Sequence, residues 1–289
     1  MKNALFSGVC TALVTPYLDN KINYPMLEQL LKRQIENGIS DIVICGTTGE
    51  ASTLSDEEKL QLFHVAKNYV GNSARIYAGT GSNNTAQAVK LSQKAQMLGI
   101  DGLLVVSPYY NKATKEGLYQ HFAAIANAVE IPIIVYNVPS RTGVDISVPV
   151  YRRLSQIENV AGVKEASNDI NKVLQTRASC PSSFTVWTGN DHQCCAAMSL
   201  GAKGVISVVS NVCPKEMNAL ACAALAGDFD TAAALQCELL ELTDLMFCEV
   251  NPIPVKEAMK RIGYDCGGCR LPLCSLSEEN MRKFDSFFG

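Results

Sequence analysis

The chain predicts an α/β protein, a (β/α)8 barrel (TIM barrel) with a C-terminal helical extension. Three observations lead there. Short apolar runs alternate with helix-period segments through most of the chain. The runs are apolar throughout rather than at every second residue, as in parallel strands covered on both faces. Eight of them occur, each followed by a crossover segment, and eight units can close a sheet on itself. An open doubly wound sheet is the alternative, and it has less need of eight regular units.

The first strand is expected over residues 9–15, stopped by Pro16, and the first helix over 24–36, closed by Asn37 and Gly38. Residues 41–45 form the second strand, and Ser55 with Glu58 makes a capping box for a helix running to about residue 69. The third pair covers 75–79 and 84–98, ending at Gly99; the fourth covers 102–106 and 114–129. Strand five is 133–136, with a helix near 148–156. Strand six is Val160-Ala161-Gly162-Val163-Lys164-Glu165, with a helix near 169–178. Residues 184–187 and 204–208 are strands seven and eight, with a helix at 191–200 between them. Beyond residue 208 only helices follow, at 214–226, 230–248, 254–262 and 278–288. The first of these completes the eighth unit. The expected division is therefore a catalytic barrel over 1–225 and an extension over 226–289.

Composition narrows the function. With 289 residues, 47% hydrophobic, the chain can bury one large core. A net charge of −3 and the lack of a Lys or Arg run exclude a nucleic-acid or anionic-membrane partner. No apolar run approaches the roughly 18 residues of a membrane span. The opening residues are too short and polar for a signal peptide, so a cytoplasmic setting is expected. Twelve cysteines then act mainly as small hydrophobes. Cys266-Gly267-Gly268-Cys269, with Cys274 nearby, lacks a second ligand pair at zinc spacing, and His64, His121 and His192 show none either. A disordered, thiol-rich loop is the expectation there, with no metal.

Chemistry in such a barrel gathers where strands end. Lys164 stands at the end of strand six; a partly desolvated amine there can attack a ketone and form a Schiff base, although a lysine at a strand end can also reach into water. Strand two runs into Gly46-Thr47-Thr48-Gly49-Glu50, whose hydroxyls and backbone N–H groups suit a small carboxylate, or an ordinary helix entry. Strand five runs into Tyr136-Asn137-Val138-Pro139-Ser140-Arg141-Thr142-Gly143. Tyr136 would neighbour Lys164 and could move protons, and Arg141 offers a fork for a carboxylate; a buried tyrosine and a surface arginine are the plain alternative. The Tyr109-Tyr110 pair after strand four suggests an interface. Gly79-Thr80-Gly81 lacks the third glycine of a dinucleotide fingerprint.

Taken in this order and at these spacings, the three strand-end motifs, with Pro108-Tyr109-Tyr110-Asn111 and Gly204-Val205-Ile206-Ser207, closely resemble the dihydrodipicolinate synthase family. The resemblance covers essentially the whole chain. It implies a lyase, without cofactor or metal, that condenses pyruvate with aspartate semialdehyde at the first committed step toward diaminopimelate and lysine. By that resemblance Lys164 forms the Schiff base, and Tyr136, Thr47 and Tyr110 relay protons, Tyr110 reaching in from a neighbouring subunit. Thr48 and the backbone at Ile206 hold the pyruvate carboxylate, and Arg141 orients the semialdehyde. The implied assembly is a homotetramer, a dimer of dimers. The nearest alternative is a pyruvate aldolase resembling N-acetylneuraminate lyase; a silent barrel that only binds a metabolite would lack one of these groups. Two departures stand out. Asn190 replaces an expected Asp. Where lysine-sensitive relatives carry histidines and a glutamate, this chain has Asp56, Lys59 and Gln87. Lys59 opposes the ammonium groups of lysine, so weak or absent feedback is expected.

Overall fold

Eight parallel strands close into a barrel in the computed structural model, which describes residues 5–289. The strands are β1 (Gly8–Ala12), β2 (Asp41–Ile44), β3 (Arg75–Gly79), β4 (Gly102–Val106), β5 (Ile133–Asn137), β6 (Val160–Glu165), β7 (Thr185–Thr188) and β8 (Gly204–Ser207). Each pairs with its neighbours in sequence, and β1 closes on β8 through Gly8↔Gly204 to Thr11↔Ser207. Between them run α1 (Tyr24–Glu36), α2 (Asp56–Val70), α3 (Thr85–Met97), α4 (Lys115–Asn127), α5 (Val148–Leu154), α6 (Asn171–Ser179), α7 (Cys194–Ser199) and α8 (Pro214–Ala226). The extension adds α9 (Phe229–Glu238), α10 (Leu240–Met246), α11 (Ile253–Arg261) and α12 (Glu278–Phe288). The capping box on α2 is present in both directions, Glu58 N–H to Ser55 Oγ at 3.2 Å and Ser55 N–H to Glu58 Oε2 at 2.9 Å.

Strand alternation sorts the core into two parts. Side chains facing out of the barrel pack under the helices. Those facing in, among them Cys10, Val43, Tyr77, Leu104, Ile134, Trp187 and Ile206, fill the interior. Phe6, just ahead of β1, closes that interior by stacking on Trp187 with centroids 4.7 Å apart. Its carbonyl accepts the indole N–H at 3.2 Å.

Four expectations need correction. Strand one stops at Ala12, because the Asn211 side chain takes over the ladder: its Oδ1 accepts Val14 N–H and its Nδ2 donates to the Ala12 carbonyl. The helix expected over 230–248 breaks at Leu239, where the Thr243 hydroxyl bonds back to the Leu239 carbonyl at 2.7 Å. The seventh helix is preceded by a separate 3-10 turn at Asp191–Gln193, held where the buried Asp191 carboxylate accepts the N–H of Val208. The thiol-rich loop is ordered, not disordered. Cys266 is fully buried, its carbonyl accepts Tyr17 N–H, and Gly268 O accepts the Lys256 ammonium. Burial pushes the Cys266 thiol up to about 12, which keeps it protonated.

Candidate active site

Register decides which side chains meet. β5 and β6 pair with Tyr136 opposite Lys164 and Asn137 opposite Glu165. An irregularity between Ile133 and Ile134 resets the phase, so that Gly162 and Lys164 share a face with Ile134 and Tyr136. That face is the barrel interior. Lys164 is buried, and its Nζ lies 4.4 Å from the centre of the Tyr136 ring. Across from it, Gly189 makes room. A Cβ at that position would stand 2.7 Å from Lys164 Cε and 2.7 Å from Ala166 Cβ. Lys164, Tyr136, Thr47, Thr48 and Arg141 line one cavity of about 390 Å³ at the carboxyl ends of the strands.

The residues flanking Tyr136 and Lys164 face outward and lock the two strands together. The buried Glu165 accepts from Asn137 Nδ2 at 2.9 Å, from Ser167 N–H at 2.8 Å and from the Tyr151 hydroxyl at 2.7 Å. Burial, and next the Glu165 charge, hold the Tyr151 phenol well above its usual range, so it stays a donor.

The turn carrying Thr47 and Thr48 is held from the extension. Glu50, in left-handed conformation at φ 56°, forms a buried ion pair with Lys256 at 2.5 Å and accepts Arg270 N–H at 2.9 Å. Arg270 in turn grips Glu58 with two bonds of 2.7 and 2.8 Å, and Lys256 and Arg270 both lie over the Tyr17 ring. Asn251, in the segment between α10 and α11, donates from Nδ2 to Thr48 Oγ1 at 3.0 Å. Its backbone carbonyl accepts Arg141 Nη2 at 2.9 Å.

Comparison with known proteins agrees with this geometry. Residues 5–288 match the model of the dihydrodipicolinate synthetase family. A 4-hydroxy-tetrahydrodipicolinate synthase of Acetivibrio thermocellus is 44% identical over 280 residues, covering 97% of this chain and 95% of its own. The chloride-inhibited dihydrodipicolinate synthase of Acinetobacter baumannii, solved in complex with pyruvate, superposes with a TM-score of 0.95 at 42% identity, with 97% of each chain covered. The enzyme of Cyanidioschyzon merolae, solved with lysine bound, gives 0.95 at 34% identity, over 98% of this chain and 97% of that one. The chain belongs to the dihydrodipicolinate synthetase family.

As a member of that family, the chain gathers five of the seven residues singled out from its sequence into one cavity. Two are not among the residues that line it. The Ile206 side chain is fully buried in the barrel interior, in register with Cys10, and Val208, just past the end of that strand, lines the cavity. Tyr110 is 89% exposed on the β4 loop at φ 72° and does not line its own chain's cavity. Sequence reasoning missed Asn251, Gly189 and the Lys256–Glu50–Arg270 cluster. Only Gly189 left a local signal, as a glycine directly after a strand. Asn190, the departure noted above, donates from Nδ2 to the Ser167 carbonyl at 2.8 Å and lines the cavity. His192 sits at the rim, with Nε2 2.9 Å from Asp244 Oδ1.

A second cavity, of about 630 Å³, adjoins the first and shares Thr47, Tyr136, Arg141 and Asn251 with it. Its outer wall carries Asp56, Lys59, Gln87 and Tyr109. Lys59 Nζ lies 3.8 Å from Asp56, and Gln87 Oε1 accepts the Ser82 hydroxyl at 3.0 Å. Among the described residues, no group of His, Cys, Asp and Glu could hold a metal ion, and no helix is long and apolar enough to cross a membrane.

Proposed function

We propose that this family member condenses pyruvate with L-aspartate 4-semialdehyde to 4-hydroxy-tetrahydrodipicolinate through a Schiff base on Lys164. The observation that carries the reading is the buried Lys164 amine against the Tyr136 ring, in a cavity that also holds a hydroxyl pair and a guanidinium. The amine adds to the pyruvate ketone, and loss of water leaves an iminium. Removal of a methyl proton gives the enamine, whose carbon attacks the aldehyde, and the aldehyde oxygen takes up a proton. The second substrate's own amine then displaces Lys164 by closing the ring. Tyr136 and Thr47 are the proton carriers in this scheme, with Tyr110 of a second copy. Thr48, with the backbone at Ile206, receives the pyruvate carboxylate, and Arg141 that of the semialdehyde.

Two substrates with a carboxylate each call for two anion-binding groups, and Thr48 and Arg141 both line this cavity. The exposure of Tyr110, away from its own cavity, supports an assembly in which copies complete each other's sites, here a homotetramer built as a dimer of dimers. The setting proposed is the cytoplasm, where a biosynthetic lyase meets both substrates. Borohydride reduction with pyruvate present tests the chemistry. Mass added at Lys164, together with product formation from the two substrates, is the expected result. An unmodified Lys164, or turnover of N-acetylneuraminate in place of the semialdehyde, would overturn it.

A further inference from the structure

Asn251 belongs to the C-terminal extension, yet it touches both groups proposed to bind substrate carboxylates. Its Nδ2 donates to Thr48 Oγ1 at 3.0 Å, and its backbone carbonyl accepts Arg141 Nη2 at 2.9 Å. It is only 6% exposed and lines both cavities. The direction of the first bond matters. A hydroxyl that accepts from an amide keeps its own hydrogen for another partner. The oxygen of this side-chain amide, Oδ1, is buried without a donor, an arrangement that a position with no part in the site would avoid.

We infer that Asn251 is a positioning residue: by donating to Thr48 it turns the Thr48 hydroxyl hydrogen toward the pyruvate carboxylate, and by anchoring Arg141 it sets the distance between the two carboxylate sites. The inference rests on the function proposed above. It makes the extension part of substrate recognition. The side-chain bond ties Asn251 to the strand-two turn, and that tie fixes the carbonyl on which Arg141 leans.

The test compares Asn251→Ala, Thr48→Val and the double variant in the full-length protein. Pyruvate affinity is read from the pyruvate dependence of imine trapping at Lys164, and semialdehyde affinity from KM in turnover. Loss of one oriented hydrogen bond is expected to weaken pyruvate binding about tenfold in either single variant. The double variant is expected to be no weaker than the singles, since both remove one bond. KM for the semialdehyde is expected to rise a few-fold in Asn251→Ala. Effects that multiply in the double variant, or unchanged pyruvate binding in Asn251→Ala, would overturn the inference. If Asn251→Ala does not fold, Asn251→Asp keeps the size but accepts the Thr48 hydrogen instead of donating. It is expected to weaken pyruvate binding at least as much, and wild-type binding in that variant would overturn the inference as well. Wild-type protein that forms no imine is a separate result, and it refutes the Schiff-base reading itself.

Discussion

Gly189→Ala puts the Lys164 geometry under direct strain. The added methyl would stand 2.7 Å from Lys164 Cε, 3.2 Å from Lys164 Cγ and 2.7 Å from Ala166 Cβ. Carbon atoms in contact settle at about 3.5–4.0 Å, so roughly 1 Å of room has to be found. Ala166 is fixed just past β6 by its N–H to the Asn137 carbonyl at 2.9 Å, so the lysine side chain gives way. Displacing a reacting group by about 1 Å costs on the order of a hundredfold in rate, whereas overpacking of this kind costs about 1–3 kcal/mol of stability. The expected variant therefore folds, melts a few degrees lower and forms the pyruvate imine about a hundredfold more slowly. The assay is quenched-flow borohydride trapping followed by intact-protein mass, beside a thermal melt. An alanine variant that traps pyruvate at the wild-type rate would refute the claim that Gly189 sets the position of Lys164.

Three further outcomes follow from the same structure. Lys256→Met leaves Glu50 buried without its ammonium and is expected to cost about 3–5 kcal/mol in urea unfolding; Glu50→Gln added to it should recover part of that, and a single variant within 1 kcal/mol of wild type would contradict a buried pair of this kind. Burial lowers His121 to about 4, below the ~6.5 of an unfolded histidine, so the unfolded chain binds the extra proton first and stability falls as pH drops from about 6.5 to about 4, by up to about 3 kcal/mol. His121→Asn should flatten that part of the profile, and parallel profiles for the two proteins would refute it. Turnover is expected to stay flat as lysine is raised through the millimolar range, because Lys59 places a cation on the wall of the larger cavity and Gln87 brings no charge to attract an ammonium. Strong inhibition at sub-millimolar lysine would show that Asp56, Lys59 and Gln87 still admit it.

The parts of the site that were legible are those whose placement needs only one strand. Lys164 closes an apolar run, Tyr136 closes another, and Thr47 and Thr48 follow a third, so topology alone sends all four to one end of the barrel. Tyr136 was expected beside Lys164 as well, but that both turn to the same face was not readable, because it depends on the irregularity between Ile133 and Ile134 that shifts the register by one residue. Nor was the support beneath them. The Asn251–Thr48 bond joins residues 203 positions apart, and a contact of that span leaves no periodicity in the sequence. The thiol-rich loop was misread for a related reason. Its glycines and cysteines look like slack, but its order comes from Tyr17, Lys256 and Glu50, none of them local. These non-local contacts converge on the strand-two turn and Arg141. A barrel that ended after α8 would keep Lys164 and Tyr136 but lose Asn251, Lys256 and Arg270, and with them the groups that hold Thr48, Glu50 and Arg141 in place. In the function proposed here, the Schiff-base lysine therefore comes from the barrel, while the proposed fit to two carboxylates leans on the extension through Asn251.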